Sequence, residues 1–304
     1  MPDRAAPPVA LVGTTASGKS AVALGAARAR AGVEILAVDS MSVYRAMDIA
    51  TAKPDARARA EVPHHLIDLV DPSEEFTVAD YQRRARGALA SVRARGGRAL
   101  LVGGTGLYLR AVVDDLALPG RWPEVAATLE AEADGPGGVP ALHRRLAALD
   151  PVAAGRTTPT NRRRVVRALE VTLGSGSTFS SFGPGLGSYP PTRFTLVGLP
   201  FNPVAVDAEI AGRFGRWLDG GLVAEVEGLA RRPAGLSRTA RQALGYRELL
   251  AHVEDGAPLE RCVDEAVRRT RAYARRQWAW FRRDPRIRWV EPDEDPVEVL
   301  SAAL

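Results

Sequence analysis

The chain has 304 residues, 46% hydrophobic and 25% charged, which is enough apolar material for one or two packed domains and too much for a disordered segment. Its single cysteine, Cys262, excludes an internal disulfide and a zinc–thiolate cluster, and a net charge of +5 points only weakly to a polyanionic partner. The start, MPDRAAPPVA, lacks the apolar stretch of a leader and no run reaches membrane-spanning length, so a cytoplasmic protein without a membrane partner is expected.

In chain order, short apolar runs at 9–12, 35–38, 66–70, 99–102, 194–199 and 287–290 read as strands. Helix-like stretches such as 20–30 and 78–95 alternate with them. Buried strands alternating with helices predict an α/β fold, a P-loop-type parallel sheet covered by helices on both faces. The pattern breaks between Leu118 and Pro191, where PEVAATLEAEA and NRRRVVRALEVTL read as helices and no strand run occurs. A Gly/Ser/Pro-rich stretch, GSGSTFSSFGPGLGSYPP, closes this region and reads as a mobile loop. The expected organisation is a catalytic core over 1–118 and 192–304 with an inserted helical domain over 119–191, and no internal repeat is visible.

The first strand runs into GTTASGKS: Gly13, Thr14, Thr15, Ala16, Ser17, Gly18, Lys19 and Ser20. In a strand–loop–helix setting this spacing cradles phosphate oxygens with backbone N–H groups and a helix N-terminus. Lys19 adds a compact cation, and the Ser20 hydroxyl is the expected Mg²⁺ ligand. The chain holds 39 arginines and only two lysines, and one of the two stands in the loop that needs an ammonium. Such loops usually serve ATP or GTP, with an acid at the end of another core strand to help hold Mg²⁺. Here the run at 99–102 ends in glycines, and the strand-end acid is Asp39, which reads either as a metal helper, as a proton acceptor or as the cap of the next helix.

Seven blocks carry a more specific signal: GTTASGKS, DSMSVYRAMDIATAKP, PHHLID, VGGTGLYLRA, RALEV, QALGYREL and ARRQWAWFRR. Together, in this order and over nearly the whole chain, they resemble the bacterial tRNA dimethylallyltransferases. The resemblance implies transfer of a dimethylallyl group from dimethylallyl diphosphate to N6 of the adenosine 3′-adjacent to the anticodon of tRNA, with Mg²⁺ required. It implies that Asp39 is the general base and that Thr105 lies near the transferred group and the RNA. It places Thr15 and Arg213 at the diphosphate or substrate. It further implies tRNA contact by Asp39, Ser40, Met41 and Ser42, by Arg163, Arg164, Val165, Val166 and Arg167, and by Gln242, Gly245, Tyr246 and Arg247. The sequence departs from the family at Thr14, usually proline, at Ser42, often glutamine, at Ala46 and Ala50, often glycine, and at Ala126, often arginine.

The RNA side is also legible from the residues. On a helical wheel over 263–286, Val263, Val267, Thr270, Ala274, Gln277 and Phe281 share one face, while Arg268, Arg271, Arg275 and Arg282 form a stripe elsewhere. Arg275 and Arg282 are expected to meet tRNA phosphates, with Arg162, Arg163, Arg164 and Arg167 as a second cluster in the insertion gripping the anticodon arm. Trp278, Trp280 and Trp289 read as core or as stacking platforms for bases. The enzyme is expected to act as a monomer. Rival readings are a small-molecule P-loop kinase, an isopentenyltransferase of free adenine nucleotides, and a nucleotide-regulated RNA-binding protein without catalysis.

Overall fold

A computed structural model describes residues 7–304; residues 1–6, on which part of the reading of the amino terminus rests, lie outside the described residues. The chain divides into two compact units, one running through Asp114 and resuming over Pro191–Leu304, the other Asp115–Pro190.

The first unit begins β1 (Val9–Val12), α1 (Lys19–Ala29), β2 (Val33–Val38), α2 (Ala56–Glu61), β3 (His64–His65), α3 (Val78–Ala94), β4 (Arg98–Gly103) and α4 (Gly106–Val113). The second unit holds α5 (Pro123–Asp134), α6 (Gly138–Leu149), α7 (Pro151–Gly155) and α8 (Arg162–Ser175). The first unit then resumes with β5 (Thr195–Gly198), α9 (Pro203–Asp219), α10 (Leu222–Ala230), α11 (Tyr246–Asp255), α12 (Leu259–Phe281), β6 (Ile287–Trp289) and α13 (Pro296–Ala303). The six strands form one sheet in the order β3-β2-β4-β1-β5-β6, with every pairing parallel. No helix among the described residues is long and apolar enough to cross a membrane.

The central strands β1, β2, β4 and β5 are mostly apolar because both faces of the sheet are covered. Val9, Leu11, Ile35, Leu100 and Val197 pack with Ala23 and Ala26 of α1 and Leu300 of α13. Ala10, Val12, Leu36, Leu101 and Leu196 face the opposite core with Tyr81, Leu109, Leu249 and Phe281. Helix starts follow local chemistry: Thr77 and Asp80 form a reciprocal capping box at α3, and Asn202 caps α9, devices each worth about 1 kcal/mol.

The third predicted strand is displaced. Its run at 66–70 does not pair as a strand; His64–His65 pairs with β2 instead, and Leu66 and Asp68 take left-handed backbone (φ 66° and 56°) that ends the extension. Val70 returns to make an isolated bridge with Tyr44. The second unit packs its own core from Leu129, Leu142, Leu146, Val165 and Leu169, adding α6 and α7 to the two helices expected from sequence. The glycine-rich stretch that closes it is tethered at its start. A 3₁₀ turn at Phe179–Phe182 forms there, the Phe179 amide donates to the Thr172 hydroxyl (3.2 Å), and the Ser180 amide donates to Asp150 (2.8 Å).

Candidate active site

Parallel strands deliver their carboxyl ends to one edge, and three turns meet there because β4 lies between β2 and β1. Register sets the level: Val12 and Val38 both lie opposite Gly103. Gly13, Asp39 and Gly104 therefore leave the sheet side by side. Gly103 and Gly104 are bare for a steric reason: a Cβ would stand 2.0 Å from the Val38 carbonyl oxygen at the first and 2.2 Å from Gln277 at the second. The Thr105 amide then donates to the Val38 carbonyl (3.3 Å), and the Thr105 hydroxyl accepts the Ser40 amide (3.3 Å), which ties the β4 turn to the Asp39 turn.

The loop from Gly13 to Ser20 wraps over this edge. Gly18 occupies left-handed space (φ 83°) and opens α1 without a capping side chain, so the first-turn amides are left for a ligand. Ala16 is also left-handed (φ 60°). The Lys19 ammonium folds back onto the Thr14 carbonyl (2.9 Å). Burial lowers its pKa to about 8, while the charge of Asp39 pulls it up and that of Arg213 pushes it down. The ammonium thus senses both expected partners electrostatically. Arg213, on α9, is held by Glu209 (3.4 Å) and lies over the Trp217 ring (5.7 Å). The Thr14 and Ser17 hydroxyls are buried without a hydrogen-bond partner among the described residues.

Asp39 directly follows β2. Its Oδ1 accepts the amides of Met41 (2.7 Å) and Ser42 (3.2 Å), which closes a turn and not a helix: the next helix, α2, starts at Ala56 and is capped by Asp55, so Asp39 is not the helix cap that the sequence left open. The same bonds aim the carboxylate and leave its second oxygen available to a reacting group. Among the described residues no three His, Cys, Asp or Glu side chains gather as a ready-made metal site. Ser20 is exposed in the first turn of α1, next to Lys19, which fits a single protein ligand to a cation carried mainly by the oxygens of a bound diphosphate.

Two residues of α12 enter the site that sequence reasoning did not assign to it. Gln277 accepts the Thr15 amide (2.7 Å) and donates to the Gly104 carbonyl (2.9 Å). Tyr273, one turn earlier, faces the Thr105 hydroxyl and Gln277; burial pushes its phenol up to about 12, with the charge of Asp39 adding to the shift. The available signal was a carboxamide on the apolar face of an amphipathic helix.

Several residues expected at RNA are turned inward or already engaged. Val165 and Val166 are core residues of the second unit and Tyr246 of the first, so of the residues expected at RNA on α8 and α11 the exposed ones are Arg163, Arg164 and Arg247. The Tyr246 hydroxyl binds Glu225 (2.5 Å), which also accepts the amides of Asp48 and Ile49 and so anchors the segment after Asp39. Ser42 and Gly245 are buried, whereas Ser40, Met41 and Gln242 keep exposed surface. Arg167 donates to the Pro119 and Gly120 carbonyls (both 2.9 Å) and pairs with Glu170 (2.8 Å). Arg275 is paired with Asp207 (2.6 Å) and is not a free phosphate ligand; Arg276, Arg282 and Arg283 are exposed on the same helix end with no carboxylate partner among the described residues. Trp278 packs against Trp289 and Phe201, and Trp280 against the main core, so these rings serve packing.

Known proteins show the same organisation. The IPP transferase family model matches residues 42–284. The chain is 45% identical to the tRNA dimethylallyltransferase of Geobacter metallireducens over 97% of this chain and 96% of that protein. It is 45% identical to that of Salinispora arenicola over 93% and 82%. The full-length tRNA isopentenylpyrophosphate transferase of Bacillus halodurans superposes with a TM-score of 0.69 at 36% identity, covering 98% of this chain and 96% of that one. A eukaryotic dimethylallyltransferase seen acting on tRNA gives 0.72 at 25% identity over 90% and 69%. By its sequence, its all-parallel sheet and the turns gathered at one edge of it, this chain belongs to the tRNA dimethylallyltransferase family of IPP transferases.

Proposed function

We propose that the chain transfers the dimethylallyl group of dimethylallyl diphosphate to N6 of the adenosine 3′-adjacent to the anticodon of tRNA, releasing diphosphate, as a cytoplasmic monomer. The observation that carries this reading is that an anion cradle with its ammonium, Lys19, meets a carboxylate, Asp39, and a hydroxyl, Thr105, at one sheet edge. A cradle alone suits any phosphate ester. A strand-end carboxylate with one oxygen fixed by backbone amides also suits an amine that becomes acidic only as it forms its new bond to carbon.

The chemistry follows from the placement. Cleavage of the allylic C–O bond leaves negative charge on the departing diphosphate, which the loop amides, Lys19 and Arg213 are placed to stabilise. A magnesium ion held by Ser20 and the diphosphate would neutralise part of that charge when bound. The adenine amine is a weak nucleophile because its lone pair is delocalised into the ring. Asp39 accepts its proton as the C–N bond forms, a contribution typically worth about 10²–10⁴-fold. Thr105, held against the Asp39 turn by the Ser40 amide, lines the gap between leaving group and amine. The target base is stacked in a folded anticodon arm and has to be drawn out to reach this edge. The exposed arginines at the end of α12 offer a surface for the RNA backbone on the first unit, and Arg163 and Arg164 offer one on the second.

The direct test is to incubate the purified chain with dimethylallyl diphosphate, Mg²⁺ and unmodified tRNA and to examine the digested RNA by mass spectrometry. A prenylated adenosine beside the anticodon is expected. Phosphorylation of an acceptor at the expense of ATP, with the allylic donor untouched, would overturn the reading; prenylation of free adenine nucleotides but not of tRNA would move it to the mononucleotide enzymes.

A further inference from the structure

Gln277 is almost wholly buried, 6% exposed, at a position of α12 where an aliphatic side chain would ordinarily pack. Burying a carboxamide is costly unless both its ends are hydrogen-bonded. Both ends are bonded here, and to two different turns of the site. The carbonyl oxygen takes the Thr15 amide of the phosphate loop at 2.7 Å, and the NH₂ group reaches the Gly104 carbonyl of the β4 turn at 2.9 Å. Gly104 makes room for this crossing, since a Cβ there would sit 2.2 Å from the Gln277 nitrogen and 3.2 Å from the Gly13 oxygen. Tyr273, one turn away on the same helix face, stands against Thr105 and Gln277.

We propose that Gln277 is a positioning residue of the active site: a brace that fixes the separation between the loop holding the diphosphate and the turn carrying Thr105 beside Asp39. The inference rests on the transfer reaction proposed above. In that reaction carbon is attacked between a leaving oxygen held by one turn and an amine held by the other, so the gap between the turns is the length of the reaction path. Parallel pairing fixes the strand ends at Val12 and Gly103, but beyond them the two turns share no backbone hydrogen bond among the described residues. The Gln277 side chain is what spans them. A misplacement on the order of 1 Å between reacting groups costs about 10²-fold in rate.

The near-isosteric Gln277→Met removes both hydrogen bonds and keeps the volume. With the full chain, tRNA and dimethylallyl diphosphate, it should lower kcat by about 10- to 100-fold while either KM moves by less than about threefold. The melting temperature should change little. Gly104→Ala should produce a similar loss by displacing the brace, and adding Gly104→Ala to Gln277→Ala should cost almost nothing more. Gln277→Glu keeps the acceptor for Thr15 but can donate to the Gly104 carbonyl only when protonated, so its rate relative to the unaltered chain should rise as pH falls from about 8 to 6. Amide exchange at Thr15, read by NMR in the ligand-free protein, should quicken in Gln277→Met without global loosening. Retained kcat in Gln277→Met, additive losses in the double variant, a flat Gln277→Glu ratio or unchanged Thr15 exchange would each overturn the brace. The exchange measurement needs no turnover, so it decides the brace even if the unaltered chain fails to prenylate tRNA, a failure that would instead defeat the proposed reaction.

Discussion

Asp39 has a turn-organising role and the proposed role of proton acceptor, and a single substitution separates the two. Oδ1 organises the turn by accepting the Met41 and Ser42 amides, and an asparagine carbonyl does this equally well. Asp39→Asn should therefore keep the turn and tRNA affinity while single-turnover transfer falls by about 10²–10⁴-fold; a near-normal rate would remove Asp39 as the proton acceptor. Lys19 gives a pH signature. Burial brings its ammonium down to about 8, so above that pH the free protein loses the charge proposed to hold the diphosphate. The KM for the allylic diphosphate should climb as pH rises through about 8, by up to about tenfold per unit, and Lys19→Arg should flatten the rise. The stability of the ligand-free protein should move the other way. An unfolded lysine keeps its proton up to 10.5, so between about 8 and 10.5 the unfolded chain binds more protons and stability increases with pH. A titration of KM beside a melting series over that range reads both signs.

At the scale of elements, what sequence could show depended on whether a residue's role is local. The loop of Lys19, the strand-end position of Asp39 and the glycines before Thr105 are written in a few neighbouring residues, and they stand where those neighbours imply. Gln277 meets Thr15 across 262 residues, so no local pattern reports the contact; only its carboxamide on an apolar face hinted at one. The run at 66–70 satisfied the hydrophobic criterion for a strand, but hydrophobicity cannot reveal the left-handed backbone at Leu66 and Asp68. Ala46, where the family often has glycine, likewise sits at φ 59°, a conformation that explains the usual glycine. Ion pairing, also invisible to local pattern, divides the arginine stripe of α12, because Asp207 neutralises Arg275 and leaves the helix end charged. Arg282→Ala with Arg283→Ala should reduce the slope of log affinity for tRNA against log salt by up to about 2, whereas Arg275→Ala alone should leave it nearly unchanged. Binding isotherms at several salt concentrations measure the slopes, and equal effects of the two changes would return Arg275 to the phosphate surface.

At the scale of the whole molecule, the second unit is one continuous insertion, Asp115–Pro190, in the chain of the first. The Thr192 hydroxyl donates to the Val113 carbonyl at 3.0 Å, so the chain returns beside the point where it departed. Each unit also has a core of its own, with Leu129, Leu146, Val165 and Leu169 in the second and the two sheet faces in the first. Every residue argued to handle the diphosphate or the proton, including Lys19, Asp39, Thr105, Arg213 and Gln277, belongs to the first unit. Replacing Asp115–Pro190 by a short Gly/Ser linker should therefore close a gap that the fold already closes, leaving a cooperatively folding protein that binds inorganic diphosphate as the full chain does. Loss of Arg163 and Arg164 should at the same time weaken tRNA binding and reduce its salt dependence. Calorimetry for diphosphate and filter binding for tRNA separate the two effects. If diphosphate affinity fell with tRNA affinity while the shortened chain still melted in one sharp transition, the second unit would have to belong to the chemistry as well as to the grip on RNA.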